Sequence, residues 1–93
     1  MKRTDVVIYE LSVIKQAGLH LTAKEILDSS VAALIARYDQ AVAGLDEPIL
    51  KRVYDVMYKQ GLSSYLCADV LNCDRRSIYR YNIRLISVLS KVL

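Results

Sequence analysis

Three glycines and one proline in 93 residues leave this chain few ways to reverse direction tightly, and that scarcity constrains its fold more than any other feature. A sandwich or barrel of short strands needs frequent turns built on Gly, Pro or Asn, so such an architecture is disfavoured. Hydrophobic residues make up 54% of the chain, and with so few turn formers they read as buried faces of helices. The length suits one domain with a single modest core and is too short for a Rossmann enzyme or a barrel. Uninterrupted apolar runs stay far below the roughly 20 residues that span a bilayer. The charged amino terminus leads into Asp5 and Glu10 rather than into a signal-peptide core, so no membrane association and a soluble, cytoplasmic protein are expected.

Periodicity then sets the organisation. Val7, Leu11 and Ile14 recur at helical spacing after Thr4 or Asp5, predicting a first helix over 5–17 that stops at Gly18. Thr22-Ala23-Lys24-Glu25 is a capping box, and the apolar residues from Ile26 to Val42 predict one long helix running to Gly44, with Ser29-Ser30 as its weakest point. Asp46-Glu47-Pro48 opens a third helix through Ile49, Leu50, Val53, Tyr54 and Met57 to Gly61. The expected fold is all-α, a small bundle of about five helices. A helical hairpin over 1–45 would support, and could oligomerise, a reading unit with a long terminal helix over 46–93.

Charge is unevenly divided. Residues 1–50 carry five basic and seven acidic side chains, residues 51–93 eight basic and three acidic, so the positive field belongs to the second half. Within that half, Ser63 or Ser64 can cap a two-turn helix with Cys67, Ala68 and Leu71 inward. Asn72 can take the left-handed conformation at its end, and Asp74 can cap a second helix. The turn is then about three residues, and Ala68 is small where two steeply crossed helices must approach.

This stretch, over residues 49–90, resembles the helix-turn-helix of bacterial sigma-factor region 4 and of related phage transcription regulators of the ArpU and RinA kind. Gly61, Ser63, Ala68, Leu71, Arg76, Tyr79 and Arg80 match the pattern, and Asp74, Ser77 and Ile78 are chemically close. Asn72 stands for the turn glycine, Cys73 for an aliphatic residue and Leu66 for an acidic one, the last predicting that this face packs on the amino-terminal helices. The resemblance implies transcription control through double-stranded DNA, in a phage or mobile-element setting.

The chemistry of the second helix supports the same expectation. Its start, Asp74-Arg75-Arg76-Ser77, offers backbone N–H groups, two guanidinium forks and a hydroxyl to phosphates and guanine edges. With Ile78 and Tyr81 inward, Tyr79 and Arg80 point out beside the arginines, and Arg84 extends the strip. The expected DNA-binding set is Ser63, Ser64, Asp74, Arg75, Arg76, Ser77, Tyr79, Arg80 and Arg84, while Lys51, Arg52 and Lys59 are read as solvated flanking charges. The apolar positions of the terminal helix exceed one stripe, so the amino-terminal helices or a second copy must cover it. A homodimer would place its reading helices about 34 Å apart on an inverted repeat.

The remaining polar residues read as structural. Cys67 and Cys73 fall on inward positions, with only Cys73 near enough to arginines for a reactive thiolate. His20 has no metal-ligand companions. Tyr38, Tyr54 and Tyr81 are expected at the core edge with hydroxyls in water, and Tyr65 and Tyr79 at a binding surface. No phosphate loop, nucleophile elbow or metalloprotease motif occurs, so neither catalysis nor a cofactor or metal is expected. The alternative function is a protein-interaction module of the same fold, docking on RNA polymerase or another regulator through the acidic amino-terminal half.

Overall fold

The computed structural model describes residues 2–93 and is all-α, with six helices among them. They are α1 (Arg3–His20), α2 (Ala23–Leu27), α3 (Val31–Ala43), α4 (Pro48–Val53, continuing as a π-helical segment Tyr54–Lys59), α5 (Ser64–Val70) and α6 (Arg75–Val92). No helix among these residues is long and apolar enough to cross a membrane.

The first helix starts at Arg3 rather than Asp5, with Lys2 before it and no side-chain cap from Thr4 or Asp5; two further boundaries differ from the sequence expectation, each for a local reason. The helix expected over 22–44 is split, which raises the helix number from about five to six. Thr22 and Glu25 do form the capping box, but Ser29 Oγ donates to the Ile26 carbonyl at 2.8 Å and accepts from the Val31 N–H at 3.2 Å. A hydroxyl that competes for backbone groups interrupts the helical ladder, and α2 buries no side chain that would hold the helix straight. The first helix does not stop at Gly18 but runs to His20. Gly18 serves a different purpose: a Cβ there would lie 2.5 Å from the Lys59 carbonyl oxygen, so α1 and the π segment touch backbone to backbone.

The π segment forms the middle of the core. Val53, Tyr54, Val56, Met57 and Tyr58 are all buried, so this stretch is enclosed on most sides rather than along one stripe. The widened turn closes with Gln60 N–H donating to the Asp55 carbonyl and Leu62 N–H to the Val56 carbonyl, with Gly61 left-handed at φ 73°. Around it pack Val7, Leu11 and Ile14 of α1, Tyr38 and Val42 of α3, Leu50 of α4, Cys67 and Ala68 of α5, and Ile78, Leu85 and Leu89 of α6. The stretches 1–45 and 46–93 therefore share one core.

Three tyrosines join these layers, and here the structure corrects the expectation of core-edge rings with wet hydroxyls. Tyr38 and Tyr54 are buried, and their hydroxyls donate to Glu10 at 2.8 Å and Asp39 at 2.7 Å. Tyr58 donates to Asn82, so the three link α3 to α1, α4 to α3 and α4 to α6. Charge reinforces two of the links: Arg37 lies 2.6 Å from Glu10, and Lys59 Nζ donates to both Asp39 oxygens at 2.8 and 2.9 Å. Tyr81 is only half-buried. Burial, then acceptance by a carboxylate, pushes the Tyr38 and Tyr54 phenols well above their ordinary range.

Two outcomes follow from this packing. Gly18→Ala is expected to lower stability by about 1–3 kcal/mol in urea unfolding, since the Lys59 backbone cannot swing aside as a side chain would, and this overpacking outweighs the better helix propensity of alanine. Because the Tyr38 and Tyr54 phenols are raised in the folded state, their contribution is complete below the ordinary phenol value of about 10 and is lost as pH rises above it. Alkaline unfolding should therefore coincide with the appearance of tyrosinate absorbance, and Tyr54→Phe should remove part of that coincidence.

Candidate nucleic-acid interface

The candidate interface is built where α5 meets α6. Ser63 starts α5 by accepting the Leu66 N–H on its hydroxyl at 3.2 Å. The helix ends with Asn72 left-handed at φ 54°, Asn72 N–H donating to the Asp69 carbonyl and Cys73 N–H to the Ala68 carbonyl at 3.0 Å. This paired closure satisfies the last carbonyls and turns the chain sharply, which asparagine tolerates better than most residues. Asp74 then starts α6 by accepting the Ser77 N–H at 2.8 Å. Four residues, 71–74, separate the two helices. Cys67 and Ala68 of α5 and Leu71 are buried together with Ile78 of α6.

That bracing orients the exposed side of α6. Ile78, Leu85 and Leu89 are fully buried, so Arg76 and Arg80, one turn apart, lie opposite them on the outermost stripe, followed by Ile83 and Ser87. Among the described residues neither arginine makes an ion pair or a side-chain hydrogen bond.

Arg75 leans toward α5. Its guanidinium sits 5.9 Å from the Tyr65 ring centre and donates to the Tyr79 hydroxyl at 3.2 Å, and the Ser64 hydroxyl approaches the same phenol oxygen at 3.4 Å. The hydrogen bond from Ser64, then that from Arg75 and its positive charge, hold the Tyr79 phenol below its ordinary value. The hydrogen bond from the Ser77 N–H likewise lowers the Asp74 carboxyl.

The expected set is thus only partly gathered. Ser64, Arg75 and Tyr79 form one cluster, Arg76 and Arg80 an adjacent free stripe, and Ser63, Asp74 and Ser77 take part in the two helix starts. Arg84 is directed to the other flank of α6, where its Nε and Nη2 lie 2.8 and 2.6 Å from one oxygen of Glu47. Lys59, read as a solvated flanking charge, is instead paired with Asp39. Leu66 does not pack on the amino-terminal helices but is 46% exposed. Sequence reasoning placed Tyr65 at a binding surface without a partner; its pairing with Arg75 spans ten positions and has no local signal. No protein-family model, curated protein or solved structure matches the chain.

The Asp74 cap gives a direct check on this assembly. Asp74→Ala should lower the thermal midpoint while Asp74→Asn, which can still accept from Ser77, should largely preserve it. With the carboxyl lowered in the folded state, the charge-dependent part of the cap is present above the ordinary aspartate value of about 3.9 and is lost as pH falls below it, so in acid Asp74→Asn should converge on wild type while the deficit of Asp74→Ala narrows without closing.

Proposed function

We propose that the chain is a sequence-specific DNA-binding regulator of transcription, which lays the first turns of α6 in the major groove of double-stranded DNA. The observation that carries this is the freedom of Arg76 and Arg80 on the outermost stripe of an 18-residue helix. Arg3, Lys15, Arg37, Lys59 and Arg84 are each engaged by protein oxygens; Arg52 of α4 is exposed and, among the described residues, unpaired too, but it stands alone rather than one turn from a second free guanidinium. An unpaired guanidinium on an exposed helical ridge suits the paired acceptors of guanine and the phosphates that flank them. A short helix packed across the base of the ridge, joined by a four-residue turn, supports the same mode of docking. The resemblance to phage regulators supports the corresponding setting, and a homodimer would bind an inverted repeat.

A second reading has an observation of its own. Tyr65, Leu66 and Val70 are exposed on one side of α5, an apolar surface that suits docking on RNA polymerase or another regulator.

Selection of bound sites from a random duplex pool, followed by gel-shift titration, separates the two. Arg76→Ala is expected to weaken binding to the selected site by about 1–3 kcal/mol and to relax the preference at one position. Unchanged affinity, or failure of the wild type to enrich any site, would transfer the assignment to the protein-docking surface.

A further inference from the structure

The three arginines at the start of α6 are not equivalent, and their surroundings divide the work between them. Arg75 is held on the flank that faces α5, by the Tyr65 ring on one side and the Tyr79 hydroxyl on the other. Arg76 is set about 100° further round the helix, and Arg80 one turn beyond it, with no bracing side chain. A helix lodged in a major groove turns its outermost stripe toward the base edges and its flanks toward the phosphate walls.

From this placement we infer that Arg75, Tyr79 and Ser64 form a clamp for one backbone phosphate of the duplex, while Arg76 and Arg80 alone carry the base reading. The inference rests on the DNA-binding function proposed above and assigns roles within that site. Its chemistry is that of a convergent donor set. Arg75 donates to the Tyr79 phenol oxygen and Ser64 Oγ lies 3.4 Å from it; both hydroxyls rotate, so the phenolic proton can turn from Ser64 to an anionic oxygen that enters beside Arg75. The remaining guanidinium N–H groups of Arg75, whose Nη2 lies 3.2 Å from the Tyr79 oxygen, and the rotatable Ser64 hydroxyl would complete the donor set around such an oxygen. The lowered Tyr79 phenol is also a better hydrogen-bond donor than an ordinary tyrosine.

The other side of Arg75 cannot serve the same purpose. There a depression lined by Ala68, Asp69, Asn72 and Asp74 presents two carboxylates, which would repel a phosphate. The anion therefore has one approach, from the Ser64–Tyr79 side. Tyr65 acts as a positioning residue: its ring restricts the guanidinium without itself meeting the phosphate.

The test uses the full chain with two probes, a duplex selected from a random pool and an unrelated duplex of equal length, each titrated across a range of salt. Arg75→Ala should weaken binding to both probes by the same factor, about tenfold, and flatten the slope of log K against log salt by about 0.9, leaving their affinity ratio unchanged. Tyr79→Phe, which keeps the ring and the fold, should weaken both equally by about 3–10-fold. Arg76→Ala should collapse the ratio instead. Tyr65→Ala should cost nothing further once Arg75 is alanine.

A fall in the ratio on Arg75→Ala, or equal salt slopes for that variant and the wild type, would overturn the clamp while leaving DNA binding intact. Absence of duplex binding by the wild type would overturn the underlying function, and the clamp with it.

Discussion

The backbone of α1 rests directly on the carbonyl of Lys59, with Gly18 as the point of contact, and α6 in turn packs on α1, α4 and α5 around that contact. The π segment that supplies this carbonyl is enclosed rather than amphipathic. Widening the helix turns Tyr54, Val56, Met57 and Tyr58 all toward neighbours; α1 and α5 pack on it, and the Tyr58 hydroxyl reaches Asn82 of α6. A side chain at position 18 would push α1 away from the segment, and α6, which packs on α1, would shift with it. The carboxyl-terminal ridge is thus positioned by a core built from both halves of the chain.

Polar groups are handled so that this core remains continuous. Three tyrosines supply apolar area and carry their hydroxyls to Glu10, Asp39 and Asn82 at its margin, and no buried side-chain nitrogen or oxygen among the described residues lacks a hydrogen-bond partner. Tyrosine suits this better than phenylalanine, because each ring both fills the interior and ties it to a particular acceptor on another helix. The same tactic recurs at the surface in Tyr65 and Tyr79, where ring and hydroxyl restrain Arg75. Charge follows the same division. Arg37, Lys59 and Arg84 are matched with carboxylates, while Arg76 and Arg80 stand unmatched on the outer ridge of α6.

Features encoded within a few residues were legible before any coordinates. The Thr22–Glu25 box, the Ser63 and Asp74 caps and the left-handed Asn72 each rest on a side chain meeting backbone three residues away, or on the conformational tolerance of one residue. The inward positions Val7, Leu11, Ile14, Cys67, Ala68 and Ile78 followed from helical spacing. The break at Ser29-Ser30 was visible as a weak point, but whether a serine hydroxyl prevails over the helical ladder depends on whether burial holds the helix straight. The widened turn at Tyr54–Lys59 leaves no trace in the pattern, since Tyr54, Val56, Met57 and Tyr58 are buried together rather than along one helical stripe.

The sequence by itself determined an all-helical chain, the capped starts of α2, α5 and α6, and which half carries positive charge, since propensity and capping act locally and composition needs no fold. Only the tertiary structure decided which charges are free. Arg84 meets Glu47 across 37 positions, Lys59 meets Asp39 across 20, and Arg75 meets the Tyr65 ring on a neighbouring helix. Such pairings depend on which helix faces come together, and that is set by packing in three dimensions. An arginine in the sequence is only a cation; its neighbours decide whether it braces the fold or remains available to a partner.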